Sequence, residues 1–255
     1  MALDVARGLR LILVAQLAMA GVLVAADGLG ALSGLFTPSA PLPTGPVSPG
    51  DQTREYRPDR TLPTLRRPDA PPGLELPQTF SDRLEFEERE IEGLGNVLLL
   101  SGTIGEGDAA RFAAHLAERA TPPARIALHS PGGIVMEALE IGRRIRADGL
   151  DTVVPSGAYC LSSCPYILAA GPDRAVGQGG VVGVHQHYYE QPKFLPVVMA
   201  VEGIQFGQGE TLEYLLEMGI APALMVFSLK TPPEQIYALV EEELLDTRLA
   251  TEILP

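Results

Sequence analysis

The chain has 255 residues, of which 27 are glycine and 23 are proline, and it carries 19 basic and 32 acidic side chains. Eleven prolines lie between Pro38 and Pro77, and residues 81–255 hold 12 basic and 25 acidic side chains, the whole net charge of −13. This acidity disfavours phosphate binding, so no nucleic acid partner is expected. The acidic part, residues 81–255, is long enough for one well-buried domain.

Residues 1–36 are predicted to be a signal peptide or a transmembrane anchor. Two arginines precede an apolar run over residues 11–26, and apolar character resumes over residues 28–36. A basic flank before such a run indicates export or insertion, with the arginines and the N-terminus in the cytoplasm. Small residues before Asp27 would fit a cleavage site, whereas the resumed apolar stretch favours an uncleaved anchor. We expect a membrane-anchored or exported (periplasmic or extracytoplasmic) domain, with the membrane contacted through this segment.

Residues 37–80 are predicted to be a proline-rich, disordered linker. Prolines at this density remove backbone donors and oppose both helix and sheet. In extended polyproline geometry about 40 residues reach on the order of 100 Å. The segment is therefore interpreted as a spacer between the membrane and the domain of residues 81–255.

Short apolar runs alternate with amphipathic stretches in the acidic domain. Strands are predicted at 96–101, 126–129, 152–155 and 181–185, and helices from Asp108 as N-cap, at 134–146 and at 162–170. This alternation indicates α/β layers around a mainly parallel sheet. Residues 202–218 and 234–245 are also predicted to be helical.

The candidate functional residues lie at the ends of predicted strands, where ligands of open α/β sheets bind. Residues 130–133 (SPGG) form either an ordinary tight turn or an oxyanion hole of free backbone N–H groups. Ser162, at the start of a predicted helix, either caps that helix or acts as a nucleophile. His185 is either a structural imidazole or a base. His187 shares its strand face, but no third metal ligand is evident, so no metal is predicted.

The segments VLLLSGTIGEGDAARF, IALHSPGGIVMEALEIGRRI, LSSCPYILAAGPDRAV and VHQ carry a family resemblance. In this order and with similar spacing, they resemble the proteolytic subunit of Clp protease, a serine peptidase of the ClpP/crotonase-like superfamily. The match runs from Asn96 to His187, about half of the acidic domain. The resemblance implies a ClpP/crotonase-like layered fold and serine peptidase chemistry without a cofactor.

Residue by residue, the resemblance assigns Ser162 as nucleophile and His185 as general base. It assigns the oxyanion hole to Gly132 or Gly133 together with the backbone N–H of Ser163. A neutral serine needs such a base, and the developing oxyanion needs preorganised donors.

The chain departs from the family where an Asp would orient the histidine. The corresponding stretch, residues 231–237 (TPPEQIY), offers Glu234 and no Asp, so Glu234 completes a triad or the site is a Ser–His dyad. The family's ring-to-ring contact segment has no clear counterpart between residues 191 and 219. No ATPase partner is therefore expected, and a homo-oligomer is left open.

Cys160 and Cys164 bracket the candidate serine. On a helix this spacing puts the two α-carbons near the upper limit for a disulfide, and an exported compartment is oxidising. A disulfide and two small buried thiols both remain open.

The leading hypothesis is an exported, membrane-tethered serine hydrolase, an ATP-independent peptidase acting on peptide or protein substrates. A variant pairs the serine with Lys193 or Lys230. The main alternative is a catalytically inactive scaffold of the same fold that binds a peptide or an envelope partner. A crotonase-like acyl-CoA enzyme is disfavoured, because the basic patch that coenzyme A needs is not visible.

Overall fold

The computed structural model describes residues 5–36, 52–56, 74, 76–77, 79–187 and 197–255. The chain divides into two compact units, residues 1–40 and residues 41–255. Predictions for the linker at 37–51 and 57–73 lie outside the described residues. So does Lys193, one of the two lysines of the Ser–Lys variant.

The smaller unit contains one helix, α1 (Val5–Phe36). Its large apolar side chains between Leu9 and Val22 are all more than half exposed. In the part of the chain that the structure describes, no helix is both long and apolar enough to span a membrane. The signal peptide or anchor at residues 1–36 stays a prediction.

The larger unit mixes short strands and helices. Its strands are β1 (Thr53–Glu55), β2 (Glu85–Ile91), β3 (Gly95–Ser101), β4 (Arg125–His129), β5 (Asp151–Val154), β6 (Tyr159–Leu161), β7 (Arg174–Gly177), β8 (Val181–Val184), β9 (Gln235–Ala238) and β10 (Glu252–Leu254). Its helices are α2 (Asp108–Ala117), α3 (Val135–Asp148), α4 (Cys164–Ala169), α5 (Val197–Glu217), α6 (Ala223–Lys230) and α7 (Glu241–Asp246).

Two sheets organise this unit. The six-stranded sheet has the order β10-β7-β5-β4-β3-β2, with all neighbours parallel except the antiparallel pair β2 and β3. The four-stranded sheet has the order β1-β9-β8-β6, in which only β6 and β8 are parallel. A single bridge between Ser130 and Cys160 joins the end of β4 to β6. The predicted α/β class with a mainly parallel sheet is confirmed.

The core lies on both faces of the larger sheet. Residues 97–100 of β3 are fully buried, as expected for a parallel strand covered on both sides. Leu98 and Leu100 face a cluster that includes Phe112 of α2 and Leu139 of α3. Residues on the other face, Val97 and Leu99 among them, form a smaller cluster.

Two predictions about local structure are wrong. Residues 234–245 are not one helix: β9 alternates exposed and buried residues as a half-buried strand does, and α7 begins only at Glu241. Residues 53–55, predicted to lie in a structureless spacer, form β1 and pair antiparallel with β9. They lie in a stretch without proline, residues 50–57, so the proline argument does not apply to them.

The prediction that Asp108 caps α2 is also wrong. The N-cap is Gly107 in left-handed conformation, and the N–H groups of Gly107 and Ala109 donate to the carboxylate of Glu137 on α3. Asp108 instead ties α2 to the preceding loop. Its buried carboxylate accepts the backbone N–H groups of Leu84 and Gly105, at 2.9 and 2.7 Å.

Burial alone would raise the pKa of Asp108. The backbone N–H donors of Leu84 and Gly105 and the Arg111 guanidinium at 2.6 Å outweigh that penalty and hold the pKa below its ordinary value. Asp108 therefore stabilises the fold above about pH 4, and this stability is lost as the pH falls through its lowered pKa.

We expect Asp108→Ala to lower the free energy of unfolding by about 3–5 kcal/mol at pH 7, because two buried N–H groups and a cation lose their partner. Asp148→Ala is the control, because its ion pair with Arg144 is exposed and worth at most about 1 kcal/mol. Urea unfolding of both variants measures the difference. Equal losses in the two variants would contradict this role for Asp108.

Candidate active site

The candidate nucleophile lies in the turn between β6 and α4. Ser162 has a φ of 61°, a left-handed conformation that is uncommon outside glycine, and its N–H donates to the Gly183 carbonyl at 2.9 Å. The prediction of a helix over 162–170 is therefore wrong at its start, because α4 begins at Cys164. A strained serine between a strand and a helix projects its hydroxyl out of the turn.

The structure brings the two principal candidates together. His185 Nε2 lies 2.7 Å from Ser162 Oγ, a normal hydrogen-bond distance. The pairing follows from the sheet, since Leu161 at the end of β6 lies opposite Gly183, two residues before His185. Residues 23 apart in sequence therefore meet at the carboxyl ends of two adjacent parallel strands.

Main-chain contacts from the end of α6 hold His185 in place. Ser228 Oγ donates to the His185 carbonyl at 2.6 Å, and the Gln186 N–H donates to the Thr231 carbonyl at 2.9 Å. Both bonds hold the peptide group that follows the His185 α-carbon, and so position the residue. Nothing in the sequence pattern distinguished Ser228 as a supporting residue.

The ring of His185 is buried, with 6% of the residue exposed. Burial, with a smaller contribution from His187, lowers the pKa of His185 to about 4. The Pro233 backbone and the Glu234 carboxylate act in the opposite direction but are outweighed. The imidazole is therefore neutral at pH 7, as a general base must be.

Glu234 does not complete a hydrogen-bonded triad in the described residues. Its side chain is exposed and influences His185 only through its charge. His185 Nδ1 is buried and has no hydrogen-bond partner of normal geometry among the described residues. In this part of the chain, Ser162 and His185 are thus paired without a hydrogen-bonded acid, and the Pro233 backbone is the larger of the two influences that raise the pKa of His185.

The candidate oxyanion donors lie beside Ser162. The Gly132 N–H donates to Ser130 Oγ at 3.1 Å, so it is not available to an oxyanion. Within the described chain, the N–H groups of Gly133 and Ser163 have no partner. Of the two glycines left open by the sequence, Gly133 is therefore the one whose N–H group can bind an oxyanion together with Ser163.

The turn of residues 130–133 requires glycine at its third position. A Cβ atom on Gly132 would lie 2.5 Å from the Cβ of Ser162 and 2.9 Å from the nitrogen of Ser163. Its φ of 97° is also disfavoured for other residues. Ile104 pairs with this turn through its N–H to the Gly132 carbonyl at 2.9 Å, so the loop tied by Asp108 supports it.

Cys160 and Cys164 form a disulfide, with their α-carbons 5.1 Å apart. The sequence left open a disulfide or two buried thiols, and the structure contains the disulfide. It links the middle of β6 to the first residue of α4, one residue beyond each side of the Leu161–Ser163 turn. The bond therefore closes the segment that carries the candidate nucleophile.

His187 lies beyond the end of β8 and does not pair with His185 as a metal site. Its Nε2 is 2.8 Å from the Tyr166 hydroxyl, and burial lowers its pKa. Among the described residues, no group of three or more His, Cys, Asp or Glu side chains could hold a metal ion. Lys230, the described lysine of the Ser–Lys variant, is exposed at the end of α6.

Sequence reasoning missed one residue at the centre of the site. Tyr56, directly after β1, is buried and packs its ring edge-on to His185, with 5.0 Å between centroids. Its hydroxyl donates to the Pro131 carbonyl. Burial raises its pKa, so the phenol is neutral and able to donate. No sequence signal distinguished this tyrosine from the surrounding proline-rich segment.

We expect the disulfide to protect both cysteines from alkylation. Unreduced protein unfolded in denaturant with iodoacetamide should gain no label by mass spectrometry, and reduced protein should gain two. Two labelled cysteines in the unreduced sample would contradict the disulfide.

Neither a protein-family model nor a curated protein sequence matches the chain, so the resemblance to the ClpP/crotonase-like superfamily stays a prediction from the quoted motifs.

Proposed function

We propose that the chain is a serine hydrolase, an ATP-independent peptidase of ClpP/crotonase-like fold that uses a Ser162–His185 dyad. The 2.7 Å contact between Ser162 Oγ and His185 Nε2 carries the proposal. It is supported by the depressed pKa of His185, which keeps the base neutral, and by two free backbone N–H groups beside the serine.

The proposed reaction is acyl transfer. Ser162 Oγ attacks the carbonyl carbon of a peptide bond while its proton moves to His185 Nε2. The N–H groups of Gly133 and Ser163 stabilise the tetrahedral oxyanion. Collapse breaks the C–N bond, the amine leaves with the proton from His185, and water then hydrolyses the acyl-serine by the same steps.

Among the residues that the structure describes, His185 has no hydrogen-bonded acid, and weaker interactions hold and stabilise it instead. Hydrogen bonds from Ser228 Oγ and to the Thr231 carbonyl hold the peptide group after His185, and the Glu234 charge offers weak stabilisation of the imidazolium. An acid bound directly to Nδ1 would raise the basicity of the ring and improve the rate. A slow hydrolase is therefore expected.

The N-terminal segment is proposed to export the domain or attach it to a membrane. The exposed apolar side chains of α1 between Leu9 and Val22 support this, since an apolar run behind basic residues is typical of an export signal or a membrane anchor. The disulfide supports an oxidising compartment. An ATPase partner is not proposed.

The alternative of an inactive scaffold is favoured by one observation, the lack of a hydrogen-bond partner for His185 Nδ1 among the described residues. In that case the cleft would bind a peptide or an envelope partner without cleaving it.

A fluorophosphonate probe separates the two functions. We expect labelling of the full chain that disappears in Ser162→Ala, with peptide hydrolysis falling by about 10³-fold or more in Ser162→Ala and His185→Ala. Ser81→Ala, at a half-buried serine outside the candidate site, is the matched control. Lys230→Ala should also keep activity. Absence of labelling in every folded variant would support the scaffold instead.

The pH dependence of kcat/KM tests the base. Because the pKa of His185 is about 4, activity should persist from neutral pH down to about pH 5 and then fall as the imidazole is protonated. Rates measured from pH 3 to 8 should give an acid limb centred near 4. A limb centred near 6.5, the ordinary histidine value, would contradict the buried, neutral base.

A further inference from the structure

We propose that residues 52–56 occupy the substrate cleft as a built-in competitor, and that the cleft binds an extended polypeptide with an aromatic side chain beside Ser162. The inference rests on the proposed function in one respect: Ser162 is taken as the group that the segment blocks.

The backbone of this segment adds a strand to an open sheet edge. Thr53 lies opposite Tyr237 in the antiparallel ladder of β1 and β9. The Tyr56 N–H donates to the Glu234 carbonyl at 2.8 Å, and the Ala238 N–H donates to the Gln52 carbonyl at 2.9 Å. These bonds use only main-chain atoms, so another extended segment can make them equally well.

The side chain of Tyr56 fills an apolar pocket next to the dyad. Only 6% of the residue is exposed. The ring belongs to a buried cluster that is separate from the main core and is formed with Tyr159, Leu161, Val181, Ile236 and Ala238. These residues come from β6, β8 and β9, and Ser162 directly follows β6 while His185 directly follows β8. The pocket therefore has the size and character that suit an aromatic side chain.

The phenol lies beside the reacting groups. It donates to the Pro131 carbonyl, in the turn that carries the Gly133 donor. Ser162 is close enough to the phenol to lower its pKa, against the larger effect of burial. The Tyr56 ring also covers one edge of His185.

Residues 52–56 can block Ser162 but offer its hydroxyl no group to attack. The group that it presents to Ser162 is a phenol, which has no acyl carbon for the hydroxyl to attack. The attachment is small, a three-residue strand and one ring, and both flanks are proline-rich. Tethering gives such a segment an effective concentration of about millimolar, so it competes with free substrate without binding tightly.

Tyr56→Ala tests the competitor. We expect the fluorophosphonate labelling rate of Ser162, and kcat/KM for a fluorogenic peptide with an aromatic residue, to rise about 10-fold or more. Tyr56→Phe, which keeps the ring and loses the phenol, should fall between Tyr56→Ala and the unaltered protein. Phe206→Ala, at an exposed aromatic residue of α5, is the control and should change neither rate.

A labelling rate that does not rise in Tyr56→Ala overturns the inference. If Tyr56→Ala stays folded by thermal melting but labels at the unaltered rate or more slowly, Tyr56 is not a competitor. Should Tyr56→Ala fail to fold, the same comparison is made with Tyr56→Phe, for which an unaltered or slower rate has the same meaning.

A binding measurement separates this inference from the hydrolase proposal. A fluorescent peptide of sequence GDQTREYR, the chain's own residues 50–57, is titrated into Ser162→Ala and into the Ser162→Ala, Tyr56→Ala double variant. We expect the double variant to bind it at least 10-fold more tightly by anisotropy. Tighter binding without labelling in any variant would contradict the hydrolase and retain the competitor, whereas equal affinities would overturn the competitor.

Discussion

The site depends on the close approach of two turns, one after β4 and one after β6. The α-carbon of Gly132 lies so near Ser162 that no side chain fits between them. The turn after β4 is held by Ser130, whose hydroxyl donates to the Gly102 carbonyl and accepts the Gly132 N–H. With the turns held in this way, the free N–H groups of Gly133 and Ser163 lie beside the candidate nucleophile.

Asp108 and His185 are both buried, but the first stays charged and the second stays neutral, because their partners differ. Asp108 is buried but has backbone donors and a guanidinium as partners, so its carboxylate stays charged. His185 is buried with little compensation, so its imidazole stays neutral. The first group stabilises the loop that supports the glycine turn, and the second is poised to accept a proton from Ser162.

The segment of residues 52–56 changes the interpretation of the linker. A spacer would leave the edge of β9 free, whereas here a proline-free stretch of the linker pairs with it and buries Tyr56. The same sheet thus carries the dyad on two strands and its competitor on a third. Because residues 52–56 belong to the predicted linker, the proposed tether and the proposed competitor involve the same segment of the chain.

By itself the sequence determined the α/β class, the strands β3, β4, β5 and β8, and the glycine turn. These are local features: apolar runs and turn residues whose meaning does not depend on distant contacts. The resemblance suggested Ser162 and His185 as partners, but only the tertiary structure decided that they meet, that β9 is a strand, that Gly133 rather than Gly132 keeps its N–H free, that Glu234 stays apart from His185 Nδ1, and that Tyr56 is buried beside His185. Each of these depends on which backbone or side-chain group a distant segment supplies as a partner, and a residue's own neighbours in sequence do not encode that choice.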